Sequence, residues 1–429
     1  MALEGVFPID PVRGPATRLR GTTTMRCAAL LAAIAACGDN LKAPPEGGPP
    51  GPEAGTRALP YHEFPTVPGY THASETIVAA SGPDVVVFAI DQNFPSAGSF
   101  ELPPSTTFDP PFRRIVYATS HDAGDSFDDP LPLTVAERTD PIVLTAADGS
   151  FWATGTNPDP GAAVGTEIYH SVDSGRTFVL AATCAIHDKP WFALDSGRRL
   201  IWLAGNIHYD LVGFDGAELA MRSGGQFMSG AYADDDGGHF FSGFQELVWN
   251  GSDAPAARGE VLPEGDEART ETIATVSAGK MPDGGEWIVR AMHDSSAGSP
   301  IVVRVRHLPD EGLDTALTLP NAVGFLPAAA VDAEGRLHVV WYDSSGPTGR
   351  LLYSHSASAD LPGRFTVPVV VDDNACPGNG WYPDGQDVAS GGRRLREYIG
   401  LAITGHRAII SWTHAPTAPS RVRVAHVDF

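Results

Sequence analysis

The sequence is short of lysine, of long apolar runs and of the signatures that mark common catalytic or cofactor sites. Lysine occurs at only three of the 429 positions, so nearly all positive charge is carried by arginine. No run of 18 apolar residues is present, which argues against a membrane-spanning helix. Walker loops and the G-x-S-x-G, H-E-x-x-H and paired C-x-x-C motifs are also missing, which excludes the enzyme classes that depend on them.

The remaining composition is that of a globular, turn-rich chain. Hydrophobic residues make up 42% and charged residues 19%, a balance typical of chains that fold. Glycine (47) and proline (37) are abundant, which favours a fold with many tight turns. The net charge is −23; residues 1–36 carry four arginines against two acids, or +2, so the rest carries −25. This charge repels phosphate backbones, and we expect no nucleic-acid partner.

An export signal is predicted near the N-terminus. Arg26 precedes an apolar stretch (AALLAAIAA) of signal-peptide length, which ends at Cys37-Gly38. This junction resembles the lipobox of bacterial lipoproteins; the alternative is a simple secretory signal. The resemblance implies a lipid on Cys37, attachment to the membrane through that lipid only, and a location in the bacterial cell envelope, in the outer membrane or facing the periplasm. The predicted organisation is a non-native or unstructured extension (1–24), a signal peptide (25–36), a Pro/Gly-rich tether (37–59) and one folded domain (60–429).

A short motif recurs along the folded domain. Residues 120–127 and 171–178 both read S-x-D-x-G-x-x-F, and residues 233–240 and 358–365 carry degenerate copies. Aspartate at the third position accepts backbone N–H groups across a turn, glycine permits a positive φ, and the aromatic residue packs between sheets. The spacing of the aspartates, 51, 62 and 125 residues, is that of a repeat with one motif lost.

These motifs resemble the Asp-box repeats of sialidase-like β-propellers. The resemblance covers residues 60–429 and implies an all-β fold, a six-bladed β-propeller in which the boxes are structural. The last blade shows three strands before the chain stops, and a strand from residues 60–70 is expected to complete it and close the ring. The box residues are Asp122, Gly124, Phe127, Asp173, Gly175, Phe178, Asp235, Gly237, Phe240, Asp360 and Phe365.

A binding site is expected where the first strands begin and the second strands end, because these positions converge above the central channel of a propeller. They read Glu75, Asp91, Asp140, Asp188, Lys189, Asn206, Glu271, His293, Asp294, Tyr342, Asp343, Glu397 and Tyr398. The resemblance implies catalytic roles for Tyr398 as nucleophile, Glu271 as its base and Asp91 as acid. The ligand-binding candidates are Asp188, Lys189, Arg290, Arg304, His293, Asp294, Tyr342, Asp343 and Arg396.

The chain departs from the sialidase pattern in its arginines. Sialidases hold the substrate carboxylate with three arginines, because a guanidinium matches a carboxylate bidentately. Blade 1 here opens on Ala73-Ser-Glu75-Thr-Ile instead of Phe-Arg-Ile-Pro, and the strand ending Trp341-Tyr342-Asp343 supplies no arginine. The sequence therefore favours a propeller that binds an extracellular glycan or protein. An exo-sialidase or related glycoside hydrolase with a modified site, and a non-catalytic envelope scaffold, are the alternatives.

Two further features leave hypotheses open. Cys184 and Cys376 are the cysteines beyond the signal region, and an oxidising compartment permits a disulfide between them. An oxygen-rich segment between the last two blades holds Asp372, Asp373, Asn374, Asp384 and Asp387. Calcium takes such ligands, but no fixed spacing supports a site. We therefore predict a monomer without a cofactor, with calcium as the alternative.

Overall fold

The computed structural model divides the chain into two compact units, Met1–Glu53 and Ala54–Phe429. The residues that it describes all belong to the second unit. They are 58–92, 113–157, 165–184, 190–205, 208–225, 228, 230–242, 245–258, 275–280, 286–293, 300–308, 315–343, 345, 348–357, 364–377, 398–416 and 419–429. The predicted signal peptide, Cys37 and nearly all of the tether lie outside the described residues.

The described residues form 27 strands and no helix, so no helical membrane span occurs among them. Strand β1 (His62–Phe64) precedes three four-stranded antiparallel sheets, which we call blades 1 to 3. Blade 1 consists of β2 (His72–Ser81), β3 (Asp84–Gln92), β4 (Arg113–Ser120) and β5 (Leu131–Pro132). Blade 2 consists of β6 (Thr139–Thr145), β7 (Phe151–Thr156), β8 (Thr166–Ser171) and β9 (Val179–Cys184). Blade 3 consists of β10 (Trp191–Asp195), β11 (Leu200–Ala204), β12 (His208–Gly213) and β13 (Glu218–Ser223).

The remaining strands continue the pattern. Blade 4 consists of β14 (Gly230–Asp234), β15 (Gly237–Ser242), β16 (Gln245–Trp249) and β17 (Ala256–Arg258). A seven-stranded sheet follows: β18 (Thr275–Lys280), β19 (Glu286–His293), β20 (Pro300–Leu308), β21 (Thr315–Val331), β22 (Leu337–Asp343), β23 (Thr348–His355) and β24 (Val369–Pro377). The last sheet contains β25 (Gly400–Thr404), β26 (Arg407–His414) and β27 (Arg421–Asp428), and β1 is its fourth strand.

The seven-stranded sheet is two blades that share one long strand. The first part of β21 pairs with β20, up to Val323, and the second part pairs with β22 from Gly324 onward. Blade 5 is therefore β18–β20 with the first part of β21, and blade 6 is the second part of β21 with β22–β24. The last sheet, β25–β27 with β1, is blade 7. The first strand of each blade contacts the first strand of the next blade, and β25 of blade 7 contacts β2 of blade 1. The described strands thus form a closed β-propeller with seven four-stranded units.

This architecture confirms the predicted all-β propeller, and the strand pairings separate seven blades where the sequence analysis counted six. The difference arises at residues 233–240, which the motif predicts to be a degenerate Asp box. They form instead the hairpin between β14 and β15, the first two strands of blade 4, with Asp235 in the turn. Gly237 and Phe240 belong to β15. Two aspartates before a glycine are typical of a β-hairpin turn and of an Asp-box turn. The motif alone therefore counts blades 3 and 4 as one blade.

The predicted ring closure is confirmed. β1 pairs antiparallel with β27, from His62 opposite Val424 to Phe64 opposite Val422. Arg423 strengthens this junction, because its Nε donates to Glu63 (2.8 Å) and its guanidinium lies 3.9 Å from the centre of the Tyr61 ring. The N-terminal end of the described chain therefore completes the C-terminal blade.

The two full S-x-D-x-G-x-x-F motifs form the turns between third and fourth strands of blades 1 and 2. The Asp122 carboxylate accepts hydrogen bonds from the Ser126 N–H (2.9 Å) and the Ser126 hydroxyl (2.6 Å). These bonds lower the pKa of Asp122 to about 2, and the bond from the hydroxyl has the largest effect. Asp173 makes the same two bonds to Thr177. The turn aspartates are thus structural hydrogen-bond acceptors, as predicted.

Each of these turns also fastens its blade to the preceding one. Phe127 packs edge-on against Phe64 of blade 7, with ring centres 5.3 Å apart, and Phe178 packs in the same way against Phe88 of blade 1, at 5.1 Å. Gly124 lies against Ile409 and Gly175 against Val86, each on the second strand of the preceding blade. These two turns thus supply contacts between blades 7, 1 and 2.

The degenerate motif at residues 358–365 is described only in part. Asp360 lies outside the described residues, whereas Phe365 forms an isolated bridge with Ser356 and packs on the core of blades 5 and 6.

Cys184 and Cys376 are both buried and free, so the disulfide hypothesis is not supported. Burial raises the pKa of the Cys376 thiol to about 12, which keeps it protonated.

We expect Gly175→Ala to destabilise the protein more than Gly405→Ala. Both glycines have positive φ (+82° and +54°), so each substitution introduces backbone strain of about 1 kcal/mol. At Gly175 the new Cβ would also lie 2.3 Å from Val86 Cγ2, whereas nothing lies within 4 Å at Gly405. Overpacking adds about 1–3 kcal/mol. Urea unfolding measures both losses; equal losses would show that this turn does not pack tightly against blade 1.

Candidate active site at the channel mouth

The upper face of the propeller is the face on which the second strands end, at Gln92, Thr156 and Asp343. The first strands begin on the same face, and in three blades a β-bulge interrupts them there. The bulges lie between Ser74 and Ile77 in blade 1, between Thr139 and Ile142 in blade 2, and between Phe325 and Ala328 in blade 6. Bulges re-aim side chains and are common beside active sites.

A residue with positive φ lies at each bulge. These residues are Glu75 (φ 50°), Asp140 (φ 53°) and Leu326 (φ 46°). Such conformations cost about 1–3 kcal/mol for residues other than glycine and concentrate at functional sites. Glu75 and Asp140 are also almost fully buried, with 4% and 6% of their surface exposed. Two strained, buried carboxylates therefore stand at equivalent positions of adjacent blades.

Tyr398 occupies the corresponding position in blade 7 and reaches across the channel mouth. Its hydroxyl donates to Asp140 Oδ1 of blade 2 (3.2 Å), and its ring packs edge-on against Trp191 of blade 3, with centres 6.1 Å apart. Only 4% of Tyr398 is exposed. Tyr398 thus joins blade 7 to blades 2 and 3.

Two neighbours define the surroundings of this tyrosine. Gly400 begins β25, and a Cβ there would lie 2.3 Å from Ser411 Oγ and 2.7 Å from the Val78 nitrogen of blade 1, so only glycine lets blade 7 approach so closely. Trp191 is 7% exposed, and its indole N–H has no hydrogen-bond partner among the described residues. The indole nitrogens of Trp152, Trp202, Trp249 and Trp341 are in the same state, so this feature is not specific to the channel mouth.

Five arginines near this face, among the residues that the structure describes, contact other parts of the fold. Arg138, two residues before Asp140, donates through Nε (2.8 Å) and Nη2 (2.5 Å) to both oxygens of Glu167, which also accepts the Tyr169 hydroxyl. Four more bind other partners: Arg114 lies over the Tyr70 ring, Arg350 pairs with Asp343, Arg421 donates to the Thr71 carbonyl, and Arg423 pairs with Glu63. These five arginines are therefore neutralised or held within the fold.

Asp91 does not join the Tyr398 cluster. Its carboxylate accepts the Val67 N–H (2.6 Å) and so holds the segment that connects β1 to β2. Burial raises the pKa of Asp91 to about 7, although the Val67 N–H and the charges of Arg421 and Arg114 oppose this shift. The described contacts thus give the predicted catalytic acid a structural partner at the junction of blades 7 and 1.

Two predicted ligand-binding residues are also structural. Tyr342 is fully buried, stacks on Phe325 and donates to the Thr413 carbonyl (2.9 Å), and burial raises its pKa well above the usual range. Asp343 is 2% exposed and forms an ion pair with Arg350 (2.6 Å). Tyr342 joins blade 6 to blade 7, and Asp343 holds the end of β22. Their described contacts lie within the fold, and their role toward a ligand stays a prediction.

The other predicted site residues remain predictions. Arg290 and His293 lie in β19 and Arg304 lies in β20, with Arg290 opposite Arg304, but their side chains are not described. The residues outside the described part of the chain are Asp188, Lys189, Glu271, Asp294 and Arg396. The predicted Tyr398–Glu271 pair is therefore untested, and the described partner of Tyr398 is Asp140.

Asp372 belongs to the acidic segment considered for calcium, of which Asp384 and Asp387 lie outside the described residues. Asp372 Oδ2 accepts hydrogen bonds from Trp412 Nε1 (2.8 Å) and Arg423 (3.3 Å) and lies 2.7 Å from His414 Nδ1. Burial raises the pKa of Asp372, but the hydrogen bond and charge of His414, together with the bonds from the Asn374 N–H and the Trp412 indole, outweigh burial and lower the pKa. No cluster of three metal-ligating side chains occurs within the described ranges. Asp372 therefore ties blade 6 to blade 7.

Comparisons with known proteins give weak matches. No protein-family model and no curated protein matches the chain. Among solved structures, it is similar to the GH93 α-L-arabinofuranosidase of Fusarium graminearum (10% identity, 86% of this chain, 98% of that chain, TM-score 0.48). It is also similar to a sialidase of Streptococcus pneumoniae (7%, 87%, 70%, 0.46) and an α-L-arabinanase of Penicillium chrysogenum (13%, 86%, 96%, 0.43). These values carry no argument about activity.

We expect Asp91→Asn to change how stability depends on pH. The folded-state pKa of about 7 exceeds the ordinary 3.8, so the native state binds the proton more tightly than the unfolded state. The wild-type free energy of unfolding should therefore fall as pH rises from about 4 to 7, by at most about 1.4 kcal/mol per pH unit from this group. In Asp91→Asn that contribution should vanish, as measured by urea unfolding at several pH values. Parallel pH profiles of the two proteins would contradict the assignment.

Proposed function

We propose that the chain is a lipid-anchored propeller of the cell envelope that binds an extracellular glycan at the channel mouth. The observation that carries this proposal is the Tyr398–Asp140 hydrogen bond at the mouth, beside Trp191. Carboxylates accept hydrogen bonds from sugar hydroxyls, and aromatic rings pack against the apolar faces of sugar rings. A ligand hydroxyl would replace the Tyr398 hydroxyl as the donor to Asp140.

The sequence supports the anchored location independently. The apolar stretch before Cys37 and the Pro/Gly-rich residues 37–59 match a lipidated N-terminus followed by a flexible spacer. The net charge of −25 beyond residue 36 adds no electrostatic attraction to anionic lipid, so the lipid would be the attachment. The Asp-box turns support a resemblance to sialidase-like proteins in fold.

Glycan binding is tested with the purified full chain on a glycan array. We expect Asp140→Asn to weaken binding at least about tenfold, because a charge-assisted hydrogen bond contributes about 1.5–3 kcal/mol. Asp343→Asn is the matched control, since Asp343 is an equally buried carboxylate on the same face that already pairs with Arg350. Equal effects of the two substitutions would argue against a site at the channel mouth.

Glycoside hydrolysis is the second candidate, favoured by the phenol–carboxylate pair itself. In that reaction Asp140 would accept the proton of the Tyr398 hydroxyl as the phenol oxygen bonds to the anomeric carbon and the glycosidic C–O bond breaks. The departing oxygen would take a proton from solvent, and water would then cleave the bond between the sugar and Tyr398. Turnover of a fluorogenic sialoside or arabinofuranoside that disappears in Tyr398→Phe would establish an enzyme. Glycan binding that persists in Tyr398→Phe without any turnover of the wild type would leave the binding function alone.

The anchor has its own test. We expect Cys37→Ala to abolish incorporation of radiolabelled palmitate and to release the protein from the membrane fraction of an expressing bacterium, because one lipid-bearing residue provides the attachment. Cys184→Ala is the control, since that cysteine is buried within blade 2. Unchanged labelling in Cys37→Ala would show that the N-terminus carries a simple secretory signal.

A further inference from the structure

The turn between β16 and β17 of blade 4 contains an asparagine followed by a glycine, at the contact with blade 3. Asn250 is exposed, whereas Gly251 is half-buried and has a φ of +86°, a conformation that suits glycine. A Cβ on Gly251 would lie 3.2 Å from Leu211 Cδ2 and 3.6 Å from Trp202 Cη2 of blade 3. This turn therefore joins blade 4 to blade 3, as the Asp-box glycines join the earlier blades.

Three donors polarise the side-chain carbonyl of Asn250. Its Oδ1 accepts hydrogen bonds from the Ser252 N–H (3.0 Å), the Ser252 hydroxyl (3.1 Å) and the Asp253 N–H (3.0 Å). Its Nδ2 donates to the Asp253 carboxylate (3.0 Å), which fixes the orientation of the amide. Donors that converge on one carbonyl oxygen bind it more strongly when it becomes an oxyanion. The Asn250 Cγ is therefore activated toward attack by a nucleophile.

The backbone nitrogen of Gly251 is such a nucleophile, and the covalent chain holds it beside Asn250 Cγ. Its N–H has no hydrogen-bond partner among the residues that the structure describes, so no bond has to break before it reacts. Glycine has no side chain that would shield this nitrogen. Two groups held next to each other by the chain react as one unit, which removes most of the entropic cost of their encounter.

We propose that Asn250 is a site of spontaneous covalent modification, at which the side-chain amide is lost and an aspartate or isoaspartate is formed. A bond forms between the Gly251 nitrogen and Asn250 Cγ, and the bond from Cγ to Nδ2 breaks. Nδ2 leaves as ammonia, and the proton of the Gly251 N–H reaches it through solvent. Water then opens the resulting five-membered imide at one of its two carbonyls, which gives aspartate or isoaspartate at residue 250.

The modification loosens the contact between blades 3 and 4. In isoaspartate the backbone runs through the former side chain and gains one methylene, which moves Gly251 away from Leu211 and Trp202. Both products also place a carboxylate beside the Asp253 carboxylate, where the Asn250 amide donates a hydrogen bond in the unmodified chain. Like charges at this distance repel each other. We therefore expect the modified protein to unfold at a lower temperature than the unmodified protein.

Peptide mass spectrometry of the full chain, incubated at neutral pH, follows the conversion of amide to acid at residue 250. Ser252→Ala removes one donor to Oδ1 and should slow the conversion about two- to tenfold, because a neutral hydrogen bond contributes about 0.5–1.5 kcal/mol. The second asparagine–glycine pair, at 379–380, is the internal control and should convert at the same rate in both proteins. An unmodified Asn250 in a wild-type chain that converts at residue 379 would overturn the proposal, and equal rates at residue 250 in the two proteins would refute the role of the donors.

The same measurement in urea separates the folded turn from the sequence alone. We expect Asn250 to convert at least as fast in the folded chain as in the unfolded chain, because the three donors act on Oδ1 only in the folded turn. Slower conversion in the folded chain would show that the turn protects Asn250, and would overturn the proposal. Asn250→Ser keeps an oxygen acceptor and removes the reacting amide, so its unfolding temperature should stay constant during incubation while that of the wild type falls. An equal fall in both proteins would refute the effect of the modification on stability.

Discussion

The pairing of β1 with β27 is the constraint on which the rest of the propeller unit depends. It joins strands that are 360 residues apart, from Glu63 to Arg423, and places β25 of blade 7 beside β2 of blade 1. Without that contact the two blades would expose their apolar faces, including Val78, Val85, Ile409 and Val422. Around this junction lie Asp372, His414 and Arg423 on one side and Asp91 with Val67 on the other.

The channel mouth follows from the same closure. Tyr398 belongs to blade 7, yet its partners Asp140 and Trp191 belong to blades 2 and 3. The bulges turn Glu75 and Asp140 into strained conformations that a regular strand would not impose. The site is therefore a product of the ring, because no single blade contains more than one of its members.

The sequence predicted the features that depend on local chemistry. The motifs at 120–127 and 171–178 form turns whose hydrogen bonds lie within eight residues, so the turns and the propeller class could be predicted. The closing strand could be predicted because the last blade shows three strands. The blade count was not, because the aspartates at 234–236 suit a β-hairpin as well as an Asp-box turn. Among the site residues, Tyr398, Asp140 and Glu75 were placed on the correct face, but the pairing of Tyr398 with Asp140 spans 258 positions and is set by ring geometry. Trp191 gave no signal, because a tryptophan in an apolar strand looks like any core residue.

The closing strand also determines how the protein responds to force. β1 has three residues and is held by its ladder to β27 and by the contacts of Arg423 with Glu63 and Tyr61. A pull on the chain ahead of Leu59 loads the bond from the Leu59 N–H to the Val371 carbonyl of blade 6, and then this strand. Its detachment would open the junction between blades 7 and 1, the two blades that supply Tyr398 and Glu75. The mechanical strength of one short strand thus limits the tension under which the channel mouth stays assembled.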